Sequence, residues 1–163
     1  MELKSLNRSQ LREVTEIWAA AEDYGRLENA EEFDALESAK EFFDTLPPGK
    51  SYADKQTLGV YDDSDQLMGL VDLAKNYPID GTYFLGLLLL VPSARANGLG
   101  HRVHEEIISL VRKQGARKLR LGVLVNNPKA LKFWQAQGYE VLKQTKQLGS
   151  GGNSVYLLEL PQL

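Results

Sequence analysis

The stretch Val91-Pro92-Ser93-Ala94-Arg95-Ala96-Asn97-Gly98-Leu99-Gly100-His101 constrains this chain more than any other. It joins an apolar run, residues 84–91, to a segment in which Val103, Ile107, Leu110 and Val111 recur at helical spacing. A strand that feeds a helix through a glycine-rich turn is a unit of mixed α/β architecture. Gly98 and Gly100 let the backbone take unusual dihedrals and approach a ligand closely. The free N–H groups at the start of the following helix favour an anion, so the turn suits a pyrophosphate. Two familiar phosphate-binding patterns are absent. A P-loop needs Gly-Lys-Ser/Thr, and here Gly100 is followed by His101 and Arg102. A dinucleotide fingerprint needs a third glycine where this chain has Val103.

Around this unit the pattern predicts a mixed sheet with helices on its faces. Residues 2–6 alternate and read as a first strand. Ser9 is expected to cap a helix carrying Leu11, Val14, Ile17 and Trp18 at helical spacing. A second helix is expected over residues 30–45, with Phe33, Leu36 and Phe42 or Phe43 inward, ended by Pro47, Pro48 and Gly49. Residues 57–61 and 66–74 form a hairpin about a turn at 62–65. After a turn at 77–82, residues 84–91 read as a strand buried on both faces. Gly86 within it predicts a bulge or close approach to a ligand. A helix over 99–114 leads to a strand over 118–125, with Leu119, Leu121 and Val123 on one face. Asn127 and Pro128 open a short helix with Ala130, Leu131, Phe133 and Trp134 as its apolar positions, stopped by Gly138. Strands at 139–148 and 154–160, joined by a turn at 149–153, complete the order.

The length of 163 residues suits one domain, residues 1–163. Absence of cysteine excludes disulfides, thiolate metal sites and a cysteine nucleophile. His101 and His104 do not form an HExxH pattern, and no metal is expected. The longest apolar run falls far short of the ~20 residues of a membrane span. The first residues lack the apolar stretch of a signal peptide, so the expected place is the cytoplasm, with no membrane partner. A net charge of −3 argues against a nucleic-acid partner. Charge is unevenly placed. Residues 22–44 hold nine acids and two bases, whereas residues 95–146 hold eleven bases and three acids. That polarity fits an anionic ligand on the basic half and a cationic one near the acidic third.

Arg95-x-x-Gly98-x-Gly100 resembles the Arg/Gln-x-x-Gly-x-Gly/Ala signature of the Gcn5-related N-acetyltransferases (GNAT). Downstream, Asn127-Pro-Lys-Ala130-Leu-Lys-Phe133-Trp134-Gln-Ala-Gln-Gly138-Tyr139 is similar to that family's Asn-x-x-Ala-x-x-x-Tyr-x-x-x-Gly-Phe segment. The strong similarity spans residues 83–139. It implies a six- to seven-stranded, mostly antiparallel sheet whose fourth and fifth strands are parallel and splayed apart, flanked by about four helices.

The resemblance further implies an acyl-CoA-dependent N-acyltransferase, passing an acetyl group from acetyl-CoA to a primary amine by direct attack through a tetrahedral intermediate. The amides of Ala96, Asn97, Gly98, Leu99, Gly100 and His101 would wrap the pyrophosphate. The backbone of Leu89, Leu90 and Val91 would pair with the pantetheine arm, and the Leu89 amide would steady the oxyanion. Asn127, Ala130, Phe133 and Trp134 would line the arm. The 3′-phosphate would meet a base among Arg95, Arg102, Lys129 and Lys132. Trp134 stands where many members carry an acidic tyrosine, and its indole N–H is not a useful acid. Asp72 is the best-placed carboxylate for a general base.

Tyr24, Glu28, Tyr77 and Tyr83 are expected to line the acceptor site. With Glu22, Asp23, Glu31 and Glu32 nearby, a small or cationic amine, or a peptide N-terminus, would be favoured as acceptor. A homodimer is one expected assembly. The second reading is a weakly active or inactive acyl-CoA-sensing module, which the tryptophan and the lack of a carboxylate in residues 84–91 favour. A nucleotide-binding protein unrelated to acyl transfer is the third.

Overall fold

The computed structural model describes residues 1–28, 31–95, 97–146 and 153–163. Its elements are β1 (Glu2–Ser5), α1 (Leu11–Ala20), α2 (Glu22–Glu28), α3 (Ala35–Asp44), β2 (Lys55–Tyr61), β3 (Leu67–Ala74), β4 (Thr82–Leu90), α4 (Leu99–Lys113), β5 (Lys118–Leu124), α5 (Pro128–Ala136), β6 (Glu140–Lys146) and β7 (Ser154–Leu160). These strands form one sheet in the order β1-β2-β3-β4-β5-β7-β6. Among the described residues only β4 and β5 pair in parallel; every other neighbouring pair is antiparallel. The expected mixed, mostly antiparallel sheet is therefore present.

Register assigns the faces, because directly paired residues share a side and alternate residues return to it. Gln56, Leu58, Val71, Leu73, Tyr83, Leu85, Leu119, Leu121 and Leu158 share one face. The Gln56 side chain bonds that of Gln114, just beyond α4, which places α4 over this face. Val103, Ile107 and Val111 form the fully buried stripe of α4. The opposite face carries Lys55, Thr57, Leu70, Asp72, Phe84 and Arg120. Lys55 reaches the Thr45 carbonyl at the end of α3, 3.0 Å away, so α3 lies over this second face. Val14, Ile17 and Trp18 of α1 and Ala39, Phe42 and Phe43 of α3 are buried in the same core.

Local chemistry moves some expected boundaries. Asn7, not Ser9, caps the first helical turn: its Oδ1 accepts the Ser9 amide at 2.9 Å. The acid-rich stretch after α1 forms a separate seven-residue helix, α2. Gly25 lets it approach its neighbour, since a Cβ there would lie 2.1 Å from the Phe33 ring. Asp34 caps α3 through the Glu37 amide at 2.9 Å, so that helix starts at Ala35 rather than at residue 30. Leu36, expected inward, is 43% exposed, while both Phe42 and Phe43 are buried. Residues 29, 30 and 147–152, which fall within or beside the expected second helix and last hairpin, lie outside the described residues.

Candidate active site

The parallel pairing of β4 and β5 begins at Thr82↔Lys118 and stops at Leu85↔Leu121. Beyond it β4 continues for five residues on β3, and β5 continues for three on β7. Among the described residues, the β5-facing edge of β4 from Gly86 to Leu90 therefore has no strand partner. A chain of ligand amides could satisfy it as an added strand would.

The divergence starts at a bulge. Asp72 pairs with Leu87 and Leu73 pairs with Leu85, which leaves Gly86 as the extra residue. A Cβ on Gly86 would sit 2.8 Å from Asp72 Oδ2. The expected bulge occurs, and the close neighbour of Gly86 is a carboxylate of this chain. Gly86 is exposed and Phe84, Leu87 and Leu88 are half-buried, so β4 is not closed on both faces as its apolar sequence predicts.

Backbone direction corrects one expected role. The Val91 amide donates to the Met68 carbonyl of β3 at 3.0 Å. Backbone groups two residues apart point to the same neighbouring strand, so Leu89 also points to β3. Its carbonyl lies against Gly69 there, 2.4 Å from where a Cβ would stand. The Leu89 and Val91 amides thus belong to the β3 ladder, and the backbone of Leu88 and Leu90 faces the divergence.

The turn after β4 has the form that its glycines predict. Asn97 and Gly98 both have positive φ, 62° and 72°, and Gly98 opens α4. The first turn of α4 carries no acidic residue, so the positive end of its dipole is uncompensated by side chains of its own. Gly100 faces α5: a Cβ there would meet the Phe133 ring at 3.4 Å, an ordinary van der Waals contact. His101 joins the same contact through Nδ1 and Gln137 Oε1, 2.6 Å apart. Leu99 is half-buried beside them, and Ala96 lies outside the described residues.

Arg95 directs its guanidinium to partners within the chain. Nε donates to the Leu90 carbonyl at 2.9 Å, and the two terminal nitrogens grip the Asp23 carboxylate of α2. The pairing holds the Asp23 carboxyl below its usual range, chiefly through these hydrogen bonds. Three of the five N–H donors of Arg95 are thus engaged within the chain. The other end of α2 is tied across the gap: Asn126, after β5, donates to the Leu27 carbonyl at 3.3 Å, and Asn153 donates to the Glu28 carbonyl at 2.6 Å. One short helix is thereby fastened to both banks of the divergence.

Asp72 is not the solvent-facing carboxylate that alternation alone suggests. Its side chain is 21% exposed and Oδ1 accepts from Lys55 Nζ at 2.7 Å. Burial raises its pKa, and Lys55 acts in the opposite direction. On the same face, Tyr77 packs edge-on against Phe84 at 5.7 Å. Lys118 and Arg120 enclose Glu159 at 2.9 and 2.5 Å. Tyr83, by contrast, lies on the opposite face, 1% exposed, with its hydroxyl toward the Gln114 carbonyl. It is a core residue and cannot line the acceptor site. Tyr24 packs near Trp18 and donates to Glu28 at 3.4 Å, and burial raises the pKa of its phenol well above its usual value. Among the acids expected to draw a cation, Glu22 pairs with Arg26 and Asp23 with Arg95, while Glu31 and Glu32 are exposed.

Trp134 is buried in a cluster with Phe133, His104 and Tyr139, its ring 4.8, 5.5 and 5.3 Å from theirs. His104 Nε2 and the Tyr139 hydroxyl are 3.0 Å apart. Burial pushes the His104 pKa down to about 4 and that of Tyr139 upward. Asn127 Oδ1 is committed to the Ala130 amide as the cap of α5, at 3.1 Å, and Ala130 is half-buried. No group of metal-ligating side chains is present among the described residues, and no helix there is long and apolar enough to cross a membrane.

The family model described as "Acetyltransferase (GNAT) family" matches residues 14–139. The chain belongs to that family. The structure of an acetyltransferase from Thermus thermophilus superposes with a TM-score of 0.80 at 23% identity, covering 98% of this chain and 96% of that one. A GCN5-related N-acetyltransferase from Kribbella flavida gives 0.70 at 16% identity, covering 98% and 96%. Spermidine N-acetyltransferase from Vibrio cholerae, solved with CoA and spermine, gives 0.70 at 20% identity, covering 99% and 95%. These likenesses show a shared fold. Comparison with curated proteins finds no match.

Proposed function

We propose that residues 1–163 act as one N-acetyltransferase domain that moves an acetyl group from acetyl-CoA to a small primary amine. The observation that carries the reading is the edge of β4 from Gly86 to Leu90, which has no strand partner among the described residues and runs directly into the positive-φ turn that opens α4. Such an edge fits an extended amide arm, and such a turn fits a pyrophosphate. Bound there, acetyl-CoA supplies a thioester carbonyl as the electrophile.

The chain's own residues divide the remaining work. Amides of Asn97, Gly98, Leu99, Gly100 and His101 hold the pyrophosphate. Backbone groups of Leu88 and Leu90 align the arm, and the Leu88 amide is the donor for charge developing on the carbonyl oxygen. Alkyl amines are largely protonated at neutral pH, so the acceptor must lose a proton before its lone pair can attack. Asp72 Oδ2, at the bulge, accepts that proton directly or through one water and returns it to solvent. As the N–C bond forms, the thioester C–S bond breaks and the coenzyme leaves as its thiolate, which takes the second nitrogen proton directly or through solvent; Trp134 packs beside the arm and delivers no proton. Tyr77, Tyr24 and Glu28 border the acceptor, and the nearby Glu31 and Glu32 favour a cationic one. The fold likeness to a spermidine N-acetyltransferase supports an amine acceptor.

Calorimetric titration with acetyl-CoA, with ATP and NAD as controls, tests the donor site; micromolar binding of acetyl-CoA alone is expected. Thiol release across a panel of primary amines then tests turnover. Binding without amine-dependent release would mark a sensing module, and no binding would refute the donor site.

A further inference from the structure

Lys55 lies one strand beyond Asp72, on β2, and its side chain is 5% exposed. A buried ammonium is costly unless its charge and donors are matched. Two oxygens match them here: Asp72 Oδ1 at 2.7 Å and the Thr45 carbonyl at 3.0 Å. The second contact anchors the ammonium to the end of α3, so it does not swing with the carboxylate it holds. The other carboxylate oxygen, Oδ2, is turned to Gly86. At that bulge β4 leaves β5, and a missing Cβ keeps the space in front of Oδ2 clear.

Among the described residues, the surroundings contain little else that could set the state of this carboxylate. From β2, Thr57 lies directly opposite Asp72, but its hydroxyl donates to the Leu6 carbonyl. From β4 the neighbours are Phe84, Gly86 and Leu87, which carry no charge. Tyr77 stands behind Phe84. Farther along the same face, Arg120 and Lys118 are satisfied by Glu159. Over the face, Asp44 of α3 is paired with Arg8.

Building on the proposed role of Asp72, we infer that Lys55 is a positioning residue for the reaction: its ammonium binds one oxygen of Asp72, keeps the carboxylate anionic near neutral pH, and directs the other oxygen to the bulge at Gly86. Asp72 enters each turnover as the anion, takes one proton from the acceptor amine, and releases it to solvent.

The test combines two readouts. Carboxyl-13C-labelled aspartate, with Asp72 assigned by its loss in Asp72→Asn, reports the titration of Asp72 by NMR without any ligand. The acid limb of kcat/KM for thiol release, with acetyl-CoA and the best amine of the panel above, reports the titration that limits turnover. In Lys55→Gln, which keeps a donor for the Thr45 carbonyl, both midpoints are expected to rise together by about 1 to 3 pH units. In Lys55→Arg, which keeps the charge, both should stay within about half a pH unit of wild type. A folded Lys55→Gln whose NMR midpoint does not move overturns the inference. So does an NMR midpoint that rises while the kinetic limb stays in place. Should Lys55→Gln fail to fold, Asp72→Asn still decides: an acid limb that persists in it overturns both the base and its positioning residue. Amine-dependent thiol release that is absent from wild type refutes the proposed function itself and is seen before any variant is made.

Discussion

Replacing His104 with glutamine isolates the energy stored in the cluster that joins α4 to α5. His104 is 5% exposed, and its pKa is held near 4 by burial. In the unfolded chain the same imidazole titrates near ~6.5. Between these values the unfolded state binds the extra proton, so stability is full above the unfolded value and falls as pH drops toward the folded one. At ~1.36 kcal/mol per pH unit, the loss reaches about 2 kcal/mol by pH 5 and about 3 kcal/mol over the whole window. Urea unfolding at pH 7 and pH 5 measures it. His104→Gln keeps a polar side chain near the Tyr139 hydroxyl and cannot take the proton. It should lose about 2 kcal/mol less than wild type between the two pH values. Equal losses in wild type and His104→Gln would show that the buried imidazole is not the group that titrates, and the reasoning would fail.

Gly98→Ala places a side chain at φ 72°, with nothing within 4 Å of the new Cβ. The cost is then purely backbone, about 1 kcal/mol in a melting experiment, with weaker acetyl-CoA binding by calorimetry. Gly86→Ala sets a methyl group 2.8 Å from Asp72 Oδ2. It should lower kcat by about tenfold or more while the acetyl-CoA Kd stays within about twofold, a split that steady-state kinetics and calorimetry resolve together. Trp134→Ala empties the centre of the aromatic cluster and should cost about 3–5 kcal/mol in urea unfolding. Trp134→Phe should retain turnover within about threefold, because no proton passes through the indole.

The parts of this molecule that are local in sequence were legible in it. The cap at Asn127, the positive-φ turn at Gly98, the alternation of Leu119, Leu121 and Val123, and the bulge at Gly86 each follow from a few adjacent residues. What escaped depends on register and on contacts between distant segments. Tyr83 looked like a neighbour of Tyr77, but one residue of register places it on the opposite face, under α4. Lys55 gave no signal, because only the pairing of β2 with β3 brings it to Asp72. Arg95 gave no sign of its partner in α2, because Asp23 lies in a segment 72 residues away. The helix α2 was itself obscured by its acids and by Gly25, whose reason is the Phe33 ring. The backbone direction of Leu89 also follows from a ladder that the sequence does not display.

The insertion of β7 between β5 and β6 gives the sheet a built-in order of opening. Among the described strands β6 hydrogen-bonds to β7 alone, and its side chains from Glu140 to Lys146 are exposed throughout. It can therefore peel away without disturbing another strand. β7 cannot leave without carrying β6 with it and baring the edge of β5, the strand that forms one bank of the divergence. Amide exchange should report two tiers at this end of the sheet: shallow, local opening in β6, and exchange through the larger unfolding unit in β7. Fraying at the outer strand is in this way kept one full strand removed from the site.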